Sequence, residues 1–574
     1  MGETLHPMTA REGRALRSAV LGGALLGLVL PILAGLWQTG RAAFGLLPAI
    51  GGEALSLAPW QMLLDLPGFA TSLLLTLWTG FAATLLSLVL AFAFAAFLWL
   101  GRGGLSRPGL IAPLLATPHA ALAIGLAFLI APSGWIARLF SPWATGWTLP
   151  PDIATVQDGA GLALILGLTV KEVPFLLLVM LSALGQLPVR AELAAARALG
   201  YAPGIAWAKV IAPQLYALIR LPVFVVLSFS LSVVDMAIIL GPSNPPTLAV
   251  AMTRWFFAAD VARLLPASAA AVLLAAVVAA AIGLWIGAEC VAGKLICAWI
   301  RRGGRGLGAS PGVMLGGLIG RFLLGLGAAA LAVLLLWSVA WRWPFPAALP
   351  ESWSLLAWAR PGAGWGAAAA ETALVGVAAT ALALALAIAW LEGEDRAGLG
   401  RARWAEGLIY MPLLVPQVAF LYGLSVSFLT LGLAPGRLPV IWGHVLFVFP
   451  YVMIALSDPW RALDARLVRA AAALGAGPAR RFWAVKLPLL LGPILTAAAI
   501  GFAVSVAQYL PTLFLGGGRV VTLTTEAVTL SSGSDRRITG VYAVLQAALP
   551  LTLYWLAIVL PAARRRRMAG GAAP

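Results

Sequence analysis

The stretch Arg190–Leu215 reads R-A-E-L-A-A-A-R-A-L-G-Y-A-P-G-I-A-W-A-K-V-I-A-P-Q-L, and the stretch Arg469–Leu490 reads R-A-A-A-A-L-G-A-G-P-A-R-R-F-W-A-V-K-L-P-L-L. They align without a gap at an offset of 275 residues, which pairs Gly200 with Gly475, Leu199 with Leu474, Pro203 with Pro478, Val210 with Val485 and Pro213 with Pro488. Glycine tolerates the left-handed turn that ends a helix, and proline suits a first helical turn. Each copy therefore predicts a helix–turn–helix in a polar loop that leads into an apolar span.

Composition places the chain in a membrane. Of its 574 residues, 61% are hydrophobic and 10% are charged, and the mean hydropathy is +0.97, whereas a soluble domain carries about 25% charged residues. The net charge of +17 would suggest nucleic-acid binding in a soluble chain, but here the basic residues stand in short loops and follow the positive-inside rule. Cys290 and Cys297 predict neither a disulfide framework nor a metal site. We expect a polytopic membrane protein and no nucleic-acid partner.

About twelve stretches approach the length of ~20 residues that a bilayer-spanning helix needs. By residue number they are 18–37, 73–100, 109–131, 160–184, 214–240, 266–288, 320–340, 371–391, 407–431, 438–456, 488–515 and 539–562. A polar, glycine-rich segment at 289–312 divides them into two sets of six. The sequence predicts an all-α fold of two parallel six-helix repeats, at 1–288 and 313–574, joined by a cytoplasmic linker at 289–312.

Shorter matches between the halves agree with a repeat: Gly109–His119 with Gly407–Gln417, Glu172–Phe175 with Val448–Tyr451, and Phe229–Asp235 with Phe502–Gln508. Six spans in each half give both halves the same orientation, so both polar loops face one side of the membrane. Basic residues concentrate on that side, in the two loops, before the first span and after the last. The positive-inside rule then predicts that both loops and both termini are cytoplasmic.

The repeated loop resembles the cytoplasmic coupling loop of ATP-binding-cassette importer permeases, whose motif is E-A-A, three residues, G, nine residues, I, one residue, L-P. The matching positions are Ala195, Ala196, Gly200, Val210 and Pro213 in the first copy and Ala470, Ala471, Gly475, Val485, Leu487 and Pro488 in the second. Both copies depart from the motif at the acidic position, which holds Ala194 and Arg469, and Glu192 stands two residues early.

This resemblance implies the type I importer permease fold, an inner-membrane location and an ATPase that binds both loops. The partners it implies are two copies of the ATPase subunit and a periplasmic solute-binding protein. The chain contains no G-x-x-x-x-G-K-[ST] phosphate-binding motif, so ATP is expected on the partner and no cofactor on this chain. Trp207 and Phe482, which align at the same offset, are either apolar anchors for the ATPase or residues of the lipid interface.

Charged residues within the predicted spans give a second signal. Lys171 and Glu172 stand in mid-span before Pro174, and Asp235 stands deep in the fifth span with Gln508 as its expected counterpart. Ionisable residues at such depth face a cavity or pair with each other. One interpretation is a translocation pathway for a cation, lined by Glu172 and Asp235. The alternative is a structural set in which Lys171 and Arg220 neutralise the two acids.

A fused chain of two permease halves is similar to permeases of the iron(III), thiamine and polyamine uptake group. The stretch Gln508–Val528 and the run K-E-x-P-F from Lys171 look like thiamine-type members. This likeness implies a cargo such as thiamine, a related cation or iron(III). The alternative function is an ion-coupled secondary transporter of twelve spans, which needs no ATPase.

Overall fold

The computed structural model describes residues 15, 18–101, 112–306, 311–359, 364–398, 403–533 and 535–570. Within these ranges ten helices are long and apolar enough to cross a membrane, and the number rises to twelve if each of two bent helix pairs is one span. The prediction of an all-α polytopic membrane protein with about twelve spans is confirmed. The basic residues expected before the first span lie outside the described residues.

Twelve helices form the first half of the chain. They are α1 (Ser18–Ala43), α2 (Ala58–Leu64), α3 (Phe69–Leu100), α4 (Ala112–Ala116), α5 (His119–Ile130), α6 (Trp135–Phe140), α7 (Leu162–Leu184), α8 (Val189–Ala198), α9 (Pro203–Ser232), α10 (Asp235–Leu240), α11 (Leu248–Phe256) and α12 (Leu264–Arg301). Helix α12 continues through Glu289–Arg301, so this part of the expected linker is helical.

The described residues of the second half follow a similar order, except that α6 has no counterpart there and two helices, α20 and α21, take the place of α9. Its helices are α13 (Pro311–Val339), α14 (Leu356–Ala359), α15 (Trp365–Ala397), α16 (Arg403–Leu414), α17 (Gln417–Thr430), α18 (Arg437–Arg461), α19 (Ala465–Ala473), α20 (Pro478–Leu489), α21 (Leu491–Ala507), α22 (Leu510–Gly516), α23 (Leu523–Ser531) and α24 (Arg536–Gly570). The short strands β1 (Ala340–Arg342) and β2 (Ser352–Trp353) pair in a hairpin after α13.

Helices α3 and α15 show that corresponding elements are held in the same way. Both contain a threonine whose hydroxyl accepts a hydrogen bond from the first backbone N–H of a later short helix. Thr76 accepts from Leu248 of α11, and Thr372 accepts from Leu523 of α23, both at 2.8 Å. A glycine four residues after each threonine removes the side chain there, so that α9 or α21 approaches closely.

The first helix of each half packs on the other half. Helix α1 lies against α17, and helix α13 lies against α5. Glycines make both contacts possible, because a Cβ on Gly423 would overlap the backbone oxygen of Gly35, and a Cβ on Gly125 would overlap that of Ala330. The halves are thus interlocked through backbone-to-backbone contact, where small residues let membrane helices gain van der Waals packing.

We expect Gly423→Ala to destabilise the protein, since α1 and α17 must separate to admit the methyl group. Overpacking of this kind costs about 1–3 kcal/mol, which thermal unfolding in detergent would detect as a lower Tm. Gly325→Ala in α13 is the matched control, because nothing lies within 4 Å of its added Cβ. A Tm for Gly423→Ala equal to that of the control would contradict the interlocked arrangement.

Candidate functional site

Four breaks between consecutive helices, two in each half, lie close together. The α9–α10 break falls at Val233, whose ψ of 136° is extended, and the α21–α22 break falls at Gln508, with ψ of 109°. The α4–α5 and α16–α17 breaks precede Pro118 and Pro416, and a residue before proline is driven away from the helical conformation. The second of these pairs bends by 103°. The breaks converge on one region between the halves.

The carbonyl groups released at the breaks find partners inside the protein. The Lys171 ammonium donates to the backbone oxygens of Leu114 at 3.0 Å, Leu115 at 3.1 Å and Thr117 at 2.5 Å. In the second half, the oxygen of Leu414 accepts from the Ser228 hydroxyl of the first half at 2.8 Å. Non-helical backbone is tolerated at membrane depth only where such partners or a cavity satisfy it.

A cavity of about 370 Å³ lies where the four breaks meet. This volume is within the ~300–1,000 Å³ typical of small-molecule sites. The cavity is lined from both halves, and Lys171, Glu172, Asp235 and Gln508 all contribute to its wall. The structure therefore brings together the four residues that the sequence singled out, although they are up to 337 positions apart.

The two carboxylates are buried in this wall, with Glu172 5% and Asp235 8% exposed. In the described part of the chain, neither forms an ion pair with a lysine or arginine; Glu172 has His119 Nε2 at 3.8 Å. Asp235 is the first residue of α10, where the positive end of the helix dipole faces its carboxylate. Six aromatic side chains complete the lining: Phe175, Phe229, Phe447, Tyr451, Tyr509 and Tyr554.

Two details of the sequence interpretation are wrong. Arg220 does not neutralise Glu172 or Asp235: its guanidinium pairs with Glu289 at 2.8 Å, and that carboxylate also accepts from Tyr216. Gln508 is not the positional counterpart of Asp235, since Gln508 stands in the break before α22 whereas Asp235 begins α10. The similar serine-containing runs suggested an offset of 273, but the helix ends keep the offset of 275 found in the loops.

The His444 side chain makes hydrogen bonds within the protein, and the described residues form no metal site beside it. His444 is buried between the two sides of the α21–α22 break, with Nδ1 2.7 Å from Ser505 Oγ and Nε2 2.9 Å from Thr512 Oγ1. Among the residues that the structure describes, no group of three or more His, Cys, Asp or Glu side chains is placed to hold a metal ion.

The repeated loops have the helix–turn–helix form that the sequence predicts. Helices α8 and α19 end at glycines with φ of +83° at Gly200 and +81° at Gly475. In both, the next residue closes the same turn: Tyr201 N–H donates to Ala196 at 3.1 Å, and Ala476 N–H donates to Ala471 at 3.0 Å. A π-helical turn follows the proline-started segment in each copy.

The two loops differ in how deeply they are buried. Helix α8 buries Val189, Leu193 and Ala196, whereas α19 has no buried residue. Trp207 is 3% exposed and packs inside the chain, so neither a partner groove nor the lipid interface holds it in this conformation. The aligned Phe482 is partly buried and its neighbour Trp483 is 69% exposed.

The remaining loop positions are divided between surface and interior. Ala195, Pro203 and Ala470 are exposed, as are Gly200, Gly475 and Pro488; Ala471, Val210, Pro213, Pro478 and Val485 are partly buried. The sequence interpretation did not propose a role for two strongly exposed leucines, Leu199 at 63% and Leu474 at 89%. Their alignment in both copies was a usable signal. It also missed the Glu192–Gln214 hydrogen bond of 2.8 Å, by which the early acid ties α8 to α9.

The helical bundle carries two matched loops, one in each half, and a cavity lies between the halves. These features are typical of the membrane subunit of a transporter. The family model described as "Binding-protein-dependent transport system inner membrane component" matches residues 398–566. The chain is 34% identical over 508 residues to the inner membrane ABC transporter permease protein YnjC of Escherichia coli (strain K12), a match covering 88% of this chain and 90% of that protein. The chain belongs to this family of ABC importer permeases.

More distant relatives match a single segment. The putrescine transport system permease protein PotI of Escherichia coli (strain K12) is 31% identical over 135 residues, 22% of this chain and 47% of that protein. The molybdenum transport system permease protein ModB of Mycobacterium bovis (strain ATCC BAA-935 / AF2122/97) is 32% identical over 124 residues, 20% and 47% of the two chains.

The comparisons confirm the coarser part of the functional interpretation. The protein is a multi-pass inner-membrane transport subunit rather than an enzyme, and a binding-protein-dependent system implies an ATPase and a binding protein as partners. No relative named here is described as a thiamine permease, and no comparison favours an ion-coupled secondary transporter.

The left-handed glycines generate a testable expectation. In Gly475→Ala the added Cβ meets no neighbour within 4 Å, so any effect arises from the backbone conformation alone. A left-handed non-glycine residue costs about 1–2 kcal/mol, or roughly a 5- to 30-fold rise in local opening. Hydrogen exchange of the α19 amides should accelerate by this factor.

Gly492→Ala serves as the control for that experiment, because Gly492 is in the first turn of helix α21 and its Cβ is equally unobstructed. Exchange in α19 should stay at the wild-type rate in this variant. Equal exchange in both variants would show that the left-handed turn does not hold the loop.

Proposed function

We propose that the chain is a fused pair of permease halves that couples the closure of two ATPase subunits to alternating access of the central cavity, and that its cargo is a small organic cation. The observation that carries the proposal is that four breaks between helices, two in each half, line a cavity whose buried carboxylates have no lysine or arginine ion pair among the described residues.

The charge distribution favours a cation. Lys171 also faces the cavity, but its ammonium donates to three backbone carbonyls and is thereby committed to the α4–α5 break. Glu172 and Asp235 then supply the negative charge of the site. The aromatic walls add a surface on which an organic cation is attracted by the ring faces, worth about 2 kcal/mol or more where water is excluded.

The two halves explain how such a site could open alternately. A cavity built from both halves changes shape when the halves rock against each other, which is a rigid-body transition of the hinge and shear kind. The repeated loops are the proposed handles for this motion. Each presents an exposed leucine at the tip of its turn, Leu199 and Leu474, and these residues fit an apolar groove of a soluble ATPase.

In this arrangement both loops and both termini lie in the cytoplasm. The surfaces of α11 and α23 face a periplasmic solute-binding protein. These two helices correspond at the offset of 275, and a threonine, Thr247 or Thr522, stands at the N-cap position directly before each. The resemblance to thiamine-type permeases and the acids and aromatic rings of the cavity wall both support a thiamine-like cation, which is the most specific cargo we propose.

Cysteine labelling tests the topology. In a background where Cys290 and Cys297 are serine, we expect Leu199→Cys and Leu474→Cys to react with a membrane-impermeant maleimide only from the cytoplasmic side. Leu149→Cys, at a position that is 76% exposed in the loop after α6, is the control that should react from the opposite side. Labelling of the two loops from opposite faces would reject the coupling model.

Substitution of the cavity acids tests the cargo. Glu172→Gln and Asp235→Asn keep the shape of each side chain and remove its charge, so ATP-driven uptake of an organic cation into vesicles should fall at least ~10-fold, since hydrogen bonds and pairs with buried charges are worth about 1.5–3 kcal/mol. Glu371→Gln is the control, because Glu371 pairs with Arg437 and does not line the cavity. Wild-type uptake in both cavity variants would exclude a cation site here.

A further inference from the structure

A cluster of charged side chains lies beside the second loop. It joins the end of α15 to the end of α18 and to the π-helical turn of α20. The Lys486 ammonium contacts Glu392 Oε2 and Asp395 Oδ2, each at 2.7 Å. Its side chain is 8% exposed, and that of Glu392 is 7% exposed. We name these three residues, Lys486, Glu392 and Asp395, the ionic joint.

Neighbouring groups fix the geometry of the ionic joint. The Trp460 indole donates to the same Asp395 oxygen at 3.0 Å, and Lys486 lies 5.8 Å from the centre of that indole ring. Arg461 pairs with Glu394 at 2.9 Å, which adds a second connection between α18 and α15. A buried ion pair is weak evidence of net stability, because the cost of removing the charges from water offsets their attraction.

The corresponding place in the first half is apolar. The alignment of α3 with α15 pairs Ala96 with Glu392, and the alignment of α7 with α18 pairs Leu184 with Trp460. The alignment of the two loops pairs Ile211 with Lys486. All three first-half residues are buried in a single hydrophobic cluster together with Trp207. At this position the helices and the loop of the first half are therefore held together by apolar packing, and those of the second half are held together by charged contacts.

The second loop depends on the ionic joint because it has little else to hold it. Helix α19 buries no residue, whereas α8 buries three. The first loop is also covered by the end of α12 and the chain that follows it: Lys209 donates to the backbone oxygens of Trp299 and Gly304, and Ala202 N–H donates to that of Arg305 at 3.0 Å. Among the described residues, no such segment covers the second loop.

We propose that the ionic joint is the positioning element through which displacement of the second loop reaches α15 and α18. This inference rests on the proposed function, since it assumes an ATPase that moves the loop. Without the ionic joint, the loop moves with its partner while the bundle stays behind. With it, a short rigid contact between charged groups makes the loop and the two helices move together.

The test uses the full chain with its cognate ATPase subunit in lipid nanodiscs. Cys290 and Cys297 are replaced by serine, and Ala503→Cys reports on the cavity wall through its reaction rate with a maleimide. Adding ATP with vanadate should change this rate roughly tenfold in the background protein, within the range of ordinary allosteric coupling. The double variant Glu392→Ala/Lys486→Ile copies the first-half residues, so that no buried charge is left alone at those two positions.

In this double variant we expect the ATPase subunit to co-purify as before and the nucleotide-dependent change to fall below ~2-fold. Lys486→Arg keeps the charge and should retain the full change. Arg396→Gln is the matched control, because it removes a pair with Glu392 inside a single helix and leaves the contact to the loop intact. A purely structural role would lower the Tm of the double variant and leave the labelling response unchanged.

Three results would overturn the proposal. One is a wild-type response in the double variant. The second result applies if the double variant does not fold. Asp395→Asn is then tested instead, because Asp395 is 40% exposed, and an undiminished labelling response in this variant would also overturn the proposal. The third is the absence of any nucleotide response in the background protein. That result would reject the proposed function itself. If the proposal about the ionic joint alone is wrong, the background protein still shows the nucleotide-dependent change in labelling rate, and the variants show a change of the same size.

Discussion

The structure depends on one constraint: each backbone carbonyl that leaves a helix within the bilayer must either be bound by another group of the protein or line a cavity. Lys171 satisfies three such carbonyls at the α4–α5 break, and Ser228 reaches across to the second half to satisfy Leu414. The end of α10 is met by Gln157, whose backbone N–H donates to Leu240 and whose amide donates to Ile238. The breaks persist because these partners exist, and the cavity is the space that the breaks leave.

The same constraint is met differently in the two halves, although their elements follow a similar order. His444 spans the α21–α22 break in the second half, while the aligned residue of the first half is Leu168. A buried lysine supports the α4–α5 break in the first half, and the aligned position of the second half holds Phe447. The two halves thus have a similar order of elements but support their helix breaks with different side chains. The cavity between them is chemically asymmetric, with both acids contributed by the first half.

Much of the architecture was accessible from the sequence, and the residues that misled us share a cause. The apolar stretches predicted the spans because the bilayer imposes a length on any helix that crosses it. Trp207 was misplaced on the surface because an aromatic residue in a polar loop looks interfacial, whereas α7, α8 and the start of α9 fold around it. Arg220 was paired with the wrong acid, since its true partner Glu289 lies 69 residues further along and comes close only when α12 packs on α9.

The sequence by itself determined the class of fold, the two repeated loops and the glycines that turn them, because helix length, left-handed turns and proline-started helices are set by local chemistry. Only the tertiary structure decided which acids have no lysine or arginine partner among the described residues, which half holds its loop by charge, and that α1 and α13 each pack on the other half. These features depend on residues that are distant along the chain. In a bundle of similar apolar helices, hydrophobic pattern is nearly the same for every pair, so the choice of neighbour rests on glycine contacts and single polar partners.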